Sequence, residues 1–76
     1  MSKVIVYTKN SCPQCNMTKI VLEGEGIEFT SINVDEDLEA RDYILNTLEL
    51  RSMPVVVVEG YEPFTGFQPE KLKALK

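Results

Sequence analysis

Apolar and polar residues follow one another along the chain with two distinct periods. Residues 3–7 and 55–59 are β-branched runs, and residues 27–34 alternate apolar with polar side chains, which predicts three strands. The unbroken apolar run over residues 55–58 predicts that the third strand is covered on both faces. Residues 62–65 predict a short fourth strand after a turn at Gly60.

A helix is predicted over residues 13–24. Pro13 suits the first helical position, because the N–H that proline lacks has no partner there. Gly24 and Gly26 end the pattern. The positions that recur at helical spacing are Met17, Ile20, Val21 and Gly24.

A second helix is predicted over residues 36–49. The acidic stretch 35–39 favours a helix start through capping and the helix dipole, which explains the stretch without a metal ion. A short third helix is predicted from Pro69, with Leu72 and Leu75 on its apolar edge. The apolar face of the second helix is formed by Ala40, Ile44 and Leu48, with Leu38 and Leu45 close by.

The resulting element order, β-α-β-α-β-β-α, predicts one α/β domain over residues 1–76. Helices between the early strands and a late hairpin require a mixed sheet. We therefore expect a four-stranded mixed sheet with helices on both faces.

Composition excludes several classes of function. The net charge is −4 and no basic stripe is present, so we do not expect nucleic acid as a ligand. No apolar stretch has the length of a signal or a membrane span, so a soluble cytoplasmic protein is expected. Histidine is absent, which excludes Cys-His and Ser-His dyads and every His-liganded metal site.

Two cysteines carry the candidate chemistry. Cys12 and Cys15 lie one helical turn apart at the start of the first helix, so a reversible disulfide is possible. Cys12 lies where unpaired N–H groups and the helix dipole favour a thiolate, and Lys9 adds a positive charge. We expect Cys12 to attack a substrate disulfide and Cys15 to resolve the mixed disulfide.

Three other interpretations of the cysteine pair are a structural disulfide, half of a zinc site and two inert thiols. Closing so small a ring removes only about 2 kcal/mol of unfolded-state entropy. Zinc would need two further ligands from carboxylates or a second chain, because the sequence has no other cysteine and no histidine. The position after a strand and at the start of a helix favours redox function.

Three segments of the chain form a recognisable set: Y-T-K-N-S-C-P-Q-C over residues 7–15, the dipeptide Met53-Pro54 before a valine strand, and F-T-G-F-Q-P over residues 64–69. Through these segments the whole chain resembles the glutaredoxin-like branch of the thioredoxin superfamily. Gln14 and the G-F-x-P pattern look most like the NrdH-type redoxins. The resemblance implies a thioredoxin fold, a class Ib ribonucleotide reductase as the protein substrate, and thioredoxin reductase as the electron donor.

The resemblance also implies a set of binding residues. In this superfamily the proline that faces the cysteines is cis, here Pro54, and the backbone of the preceding residue pairs with an extended substrate segment. The implied substrate-binding residues are Lys9, Pro13, Gln14, Met53, Pro54, Gly66 and Phe67.

Departures from the glutaredoxin pattern imply weak glutathione binding. Glutaredoxins hold glutathione with a lysine, a tyrosine inside the motif and a late Gly-Gly-x-Asp segment. Here Gln14 replaces the tyrosine, Thr65-Gly66 replaces the glycine pair, and Pro69 lies near the place of the acidic residue. The redoxins commonly have Trp-Ser-Gly-Phe-Arg-Pro, whereas this chain has Phe64-Thr65-Gly66-Phe67-Gln68-Pro69, so Gln68 removes a fixed positive charge.

Two alternatives stay open at this point. One is a glutathione-dependent glutaredoxin, and the other is a non-enzymatic dimer that holds an iron-sulfur cluster between Cys12 thiolates and would be coloured. The leading prediction is a monomer without a cofactor, whose redox group is the Cys12-Cys15 disulfide.

Overall fold

Four strands form one mixed sheet in the computed structural model, which describes residues 3–75. The strands are β1 (Val4–Thr8), β2 (Thr30–Asn33), β3 (Val55–Val58) and β4 (Phe64–Thr65). Their order across the sheet is β2-β1-β3-β4, with β1 parallel to β2 and antiparallel to β3, and β4 antiparallel to β3. The predicted mixed four-stranded sheet and its element order are confirmed.

Two apolar clusters cover the two faces of the sheet. Alternate residues of β1 and β3 point to opposite faces, as the pleat requires. Val6 and Val56 belong to the first cluster, together with residues from helices α1 (Pro13–Gly24) and α3 (Pro69–Lys73). Tyr7 and Val55 belong to the second cluster, with Ile44 from the other side. The predicted cover on both faces of β3 is confirmed, and the molecule has the order helix, sheet, helix.

Helix α1 has the predicted bounds, but the predicted face is only partly right, since Val21 alone of its apolar side chains packs against the first cluster. Met17 is 48% exposed and Ile20 is 65% exposed, so both point to solvent. The buried residues of this helix are instead Cys15, Thr18 and Leu22, which lie on one side at the spacing i, i+3, i+7. Because Thr18 is polar, the stripe that is buried does not show continuous apolar spacing in the sequence, and the prediction missed it.

The second helix is shorter and less regular than predicted. Helix α2 spans Leu38–Asp42 and continues directly as a π-helical turn over Tyr43–Thr47. The helix begins late because the Asp37 carboxylate accepts the Ala40 N–H at 3.1 Å and caps the first turn. Glu49 ends the segment with a left-handed φ of 56°, and the Leu50 N–H then donates to the Ile44 carbonyl.

Strand β2 is shorter than the alternation predicted. Residues 27 and 29 precede the strand, and their side chains pack against the first cluster without joining the ladder. The Val34 N–H still donates to the Thr8 carbonyl at 2.8 Å, so the parallel pairing extends one residue past the strand. Among residues 3–75, no helix combines the length and the apolar character that crossing a membrane requires.

Candidate active site

The two cysteines form a disulfide at the start of α1. Their Cα atoms are 5.3 Å apart, and their side chains are 7% and 2% exposed for Cys12 and Cys15. Cys12 is the N-cap residue of the helix, with extended backbone angles, and Pro13 occupies the first helical turn on the exposed surface. The structure therefore places the first sulfur at the mouth of the helix and the second sulfur inside it, as the spacing predicted.

The geometry of the helix start favours the thiolate form of Cys12 over that of Cys15. The Cys15 N–H donates to the Cys12 Sγ at 3.1 Å, so one of the free amide groups of the first turn already serves this atom. The first turn of α1 contains no acidic residue, and the positive end of the helix dipole is therefore unopposed there. Both effects favour negative charge on Cys12 once the disulfide is reduced.

Side-chain hydrogen bonds anchor the loop that precedes the cysteines. The Asn10 N–H donates to the Asp35 carboxylate at 2.8 Å, and the Asn33 amide donates to the Asn10 side chain at 2.9 Å. The loop also contains Ser11 with a left-handed φ of 54°. The end of β2 thus fixes the chain immediately before Cys12, a contact that the sequence pattern did not reveal.

The late segment approaches the cysteine motif through Gln14. The Met53-Pro54 peptide bond is cis, as the family resemblance implied. The Pro54 carbonyl accepts the Gly66 N–H at 2.9 Å, and the Gln14 Oε1 accepts the Phe67 N–H at 3.2 Å. Gly66 has a φ of 78°, and a Cβ there would lie 3.7 Å from the Gln14 Oε1. These bonds bring five of the predicted residues together: Gln14, Met53, Pro54, Gly66 and Phe67.

A cationic groove lies beside Met53. Its volume is about 130 Å³, and its positive residues are Lys9, Arg41 and Arg51. Asp35 is the acidic residue of the same groove, and its carboxylate already accepts the Asn10 N–H. Lys9 was predicted from the sequence, whereas Arg41 and Arg51 were not, because only the tertiary fold brings their segments to this groove.

Tyr7 is a packing residue of the second cluster. It is 7% exposed, and its ring centroid lies 6.2 Å from that of Tyr43. Burial, followed by the charges of Tyr43 and Asp37, raises the pKa of Tyr7 above its ordinary value of 10.0. The hydroxyl is therefore neutral at physiological pH and does not serve as a base.

Comparison with known proteins agrees with this geometry. The family model named Glutaredoxin matches residues 4–61. The Gene 56 protein of Mycobacterium phage L5 is 39% identical over 72 residues, which cover 95% of this chain and 70% of that protein. The glutaredoxin-like protein NrdH of Escherichia coli (strain K12) is 37% identical over 73 residues, with coverage of 96% and 88%.

A solved structure is also similar. The glutaredoxin-like protein NrdH-redoxin from Escherichia coli superposes with a TM-score of 0.87 at 36% identity, and the match covers 97% of this chain and 95% of that one. The similarity in sequence and the similarity in fold therefore extend over nearly the same residues, with the cysteine motif inside both.

Proposed function

This chain belongs to the glutaredoxin family, in its NrdH-like branch, and from that premise we propose that it carries electrons from thioredoxin reductase to the disulfide of a class Ib ribonucleotide reductase. The thiol-disulfide oxidoreductase activity itself follows from the family and the cysteine pair. The related NrdH-redoxin of Escherichia coli has a thioredoxin-like activity profile, which supports this choice of donor.

The exchange reaction follows from the positions of the two sulfurs. In the reduced protein, the Cys12 thiolate attacks one sulfur of the partner disulfide and expels the other as a thiolate. Cys15 then attacks the Cys12 sulfur, re-forms the intramolecular disulfide and releases the second partner sulfur. Two electrons pass to the partner, and the donor later returns two electrons to Cys12-Cys15.

The observation that carries the choice of donor is the hydrogen bond between Gln14 and Phe67. Glutaredoxins hold glutathione between the cysteine motif and the late segment. In this chain the Phe67 N–H already donates to the Gln14 Oε1, so a carboxylate of glutathione would have to compete for that amide. Competition from an intramolecular acceptor supports weak glutathione binding.

The cationic groove favours a second candidate function, reduction by glutathione. Lys9, Arg41 and Arg51 lie beside Met53, where a carboxylate of a small peptide would be attracted. The three side chains are exposed, so each attraction is weakened by water and salt. The groove alone therefore supports weak or transient binding of the anion.

A coupled assay separates the two candidates. The oxidised protein is mixed with a disulfide acceptor and NADPH, once with thioredoxin reductase and once with glutathione and glutathione reductase. We expect NADPH consumption with thioredoxin reductase and little consumption with millimolar glutathione. Turnover with glutathione alone would instead establish a true glutaredoxin, and turnover with neither would remove both proposed donors.

Replacing Gln14 by alanine should increase reduction by glutathione about threefold to tenfold, because the Phe67 N–H becomes free to donate to the ligand. The rate is measured as glutathione-dependent NADPH consumption at a glutathione concentration below saturation. Asn16→Ala, a change at an exposed residue of the same helical turn, is the matched control and should leave this rate unaltered. Equal rates for Gln14→Ala and the parent protein would show that Gln14 does not limit access to this segment.

We further propose that the protein works as a cytoplasmic monomer without a prosthetic group. The observed redox group is the disulfide, whose two cysteines are already bonded to each other and largely buried. An iron-sulfur cluster shared between two chains would require the Cys12 sulfur to leave this disulfide and become a metal ligand. A reducing compartment suits a carrier that must be kept in the dithiol state.

A further inference from the structure

A buried hydroxyl lies one turn after the second cysteine. Thr18 is 0% exposed, and its Oγ1 has no hydrogen-bond partner among the described residues. Buried polar groups in native proteins are nearly always paired, because an unpaired hydroxyl loses its water without compensation. Valine has almost the same shape and would avoid this cost, so the oxidised structure gives no reason for a threonine here.

The position of Thr18 connects it to the reacting sulfur. Residues three apart in a helix are neighbours, and their Cα–Cβ bonds tilt toward the helix N-terminus, so Thr18 covers the turn that contains Cys15. Cys15 is 2% exposed and lies on the same buried stripe. The Cys15 N–H donates to the Cys12 sulfur and not to the Cys15 sulfur. The Thr18 hydroxyl is therefore a polar group that is available to the Cys15 sulfur.

We propose that Thr18 is a positioning residue for the resolving step, because its hydroxyl pairs with the Cys15 sulfur in the reduced protein and in the mixed disulfide. Once the bond to Cys12 opens, the Cys15 Sγ can rotate about its own side-chain torsion toward the hydroxyl. A hydroxyl accepts the S–H of a thiol and donates to a thiolate, so it serves both protonation states. This proposal depends on the exchange chemistry and is independent of the identity of the electron donor.

The step that Thr18 assists is balanced in atoms and charge. Cys15 loses its proton to solvent and becomes a buried thiolate, which is costly without a donor. The thiolate attacks the Cys12 sulfur of the mixed disulfide, forms the Cys12-Cys15 bond and breaks the bond from Cys12 to the partner. The electron pair leaves on the partner sulfur as a thiolate. The hydroxyl stabilises the charge on Cys15 until that bond forms.

Thr18→Val and Thr18→Ser test the proposal together. The reduced protein reacts with an aromatic disulfide whose thiolate product is coloured, and the second release of colour reports resolution by Cys15. We expect Thr18→Val to slow resolution about tenfold at neutral pH and to shift the pH midpoint of this rate upward. Thr18→Ser keeps the hydroxyl and should stay within about twofold of the parent protein.

An equilibrium measurement distinguishes this role from a purely structural one. Against a reference dithiol, Thr18→Val should favour the disulfide form about tenfold more than the parent does, equivalent to a potential about 30 mV lower. Its oxidised form should be no less stable, because it loses an unpaired hydroxyl. Parental rate and potential in Thr18→Val, or the same losses in Thr18→Ser, would overturn the proposal. Should Thr18→Val unfold, Thr18→Ala compared with Thr18→Ser isolates the hydroxyl in the same two measurements.

Discussion

Cys12→Ser reduces disulfide reductase turnover to the rate of the uncatalysed exchange, whereas Cys15→Ser retains the first attack and accumulates a mixed disulfide. The difference follows from position. Cys12 is the N-cap residue, its sulfur accepts the Cys15 N–H at 3.1 Å, and the first turn of α1 has no acidic residue. A serine oxygen at neutral pH is protonated and cannot replace the thiolate that attacks.

The measurement is turnover in the coupled assay together with mass spectrometry under non-reducing conditions. Each variant is reduced, mixed with a disulfide-bonded acceptor and quenched with acid after increasing times. We expect a covalent adduct with Cys15→Ser and none with Cys12→Ser. An adduct with Cys12→Ser alone would assign the attack to Cys15, and the loss of activity without an adduct in both variants would contradict the two-step exchange. The double variant is the background control.

The chemistry could be predicted from the sequence because it depends on local structure. Cys12 and Cys15 lie at a helix N-terminus because a strand, a polar loop and a helix that starts with proline follow one another there. This placement depends only on neighbouring residues. The β-branched runs over residues 3–7 and 55–58 likewise predicted two strands, and the unbroken apolar run over 55–58 predicted that its strand is covered on both faces. The element order along the chain then predicted a mixed sheet with helices on both faces, by general rules of α/β architecture.

The remaining features of the site depend on tertiary contacts that no local pattern contains. Gln14 and Phe67 are 53 positions apart, and the bond between them exists because the late segment folds back on the motif. Arg41, in α2, and Arg51, in the segment before β3, line the same groove as Lys9. Gln14, Arg41 and Arg51 are polar and exposed, and an exposed polar residue looks the same in the sequence whether or not it borders a site.

The error in the face of α1 has a specific cause. The helix contains apolar residues on more than one side, and the pattern selected Met17 and Ile20 because Thr18 interrupts the stripe that is buried. A threonine at a fully buried position is unexpected on grounds of packing alone. Thr18, the residue that broke the hydrophobic pattern, therefore lies in the packed stripe of the helix and one turn after the reacting Cys15.

Leu22→Ala is expected to lower the free energy of unfolding by about 2–5 kcal/mol, which is a large fraction of the roughly 5–15 kcal/mol that a small domain has. Leu22 is 0% exposed and belongs to the cluster that joins α1 to Val56 and Leu72. Truncation leaves a cavity between α1, β3 and α3, which meet at this cluster. Urea unfolding of the oxidised protein, followed by circular dichroism, gives the difference.

Leu38→Ala is the matched control, since it removes the same atoms from a helical leucine that is 71% exposed, and it should change stability by less than about 0.5 kcal/mol. The comparison also tests the assignment of the buried face. If Leu22→Ala cost no more than Leu38→Ala, α1 would not be held by the stripe that contains Cys15 and Thr18. The sulfur of Cys15 would then lie on a loosely held helix, and the burial that makes its thiolate depend on a hydroxyl would be lost.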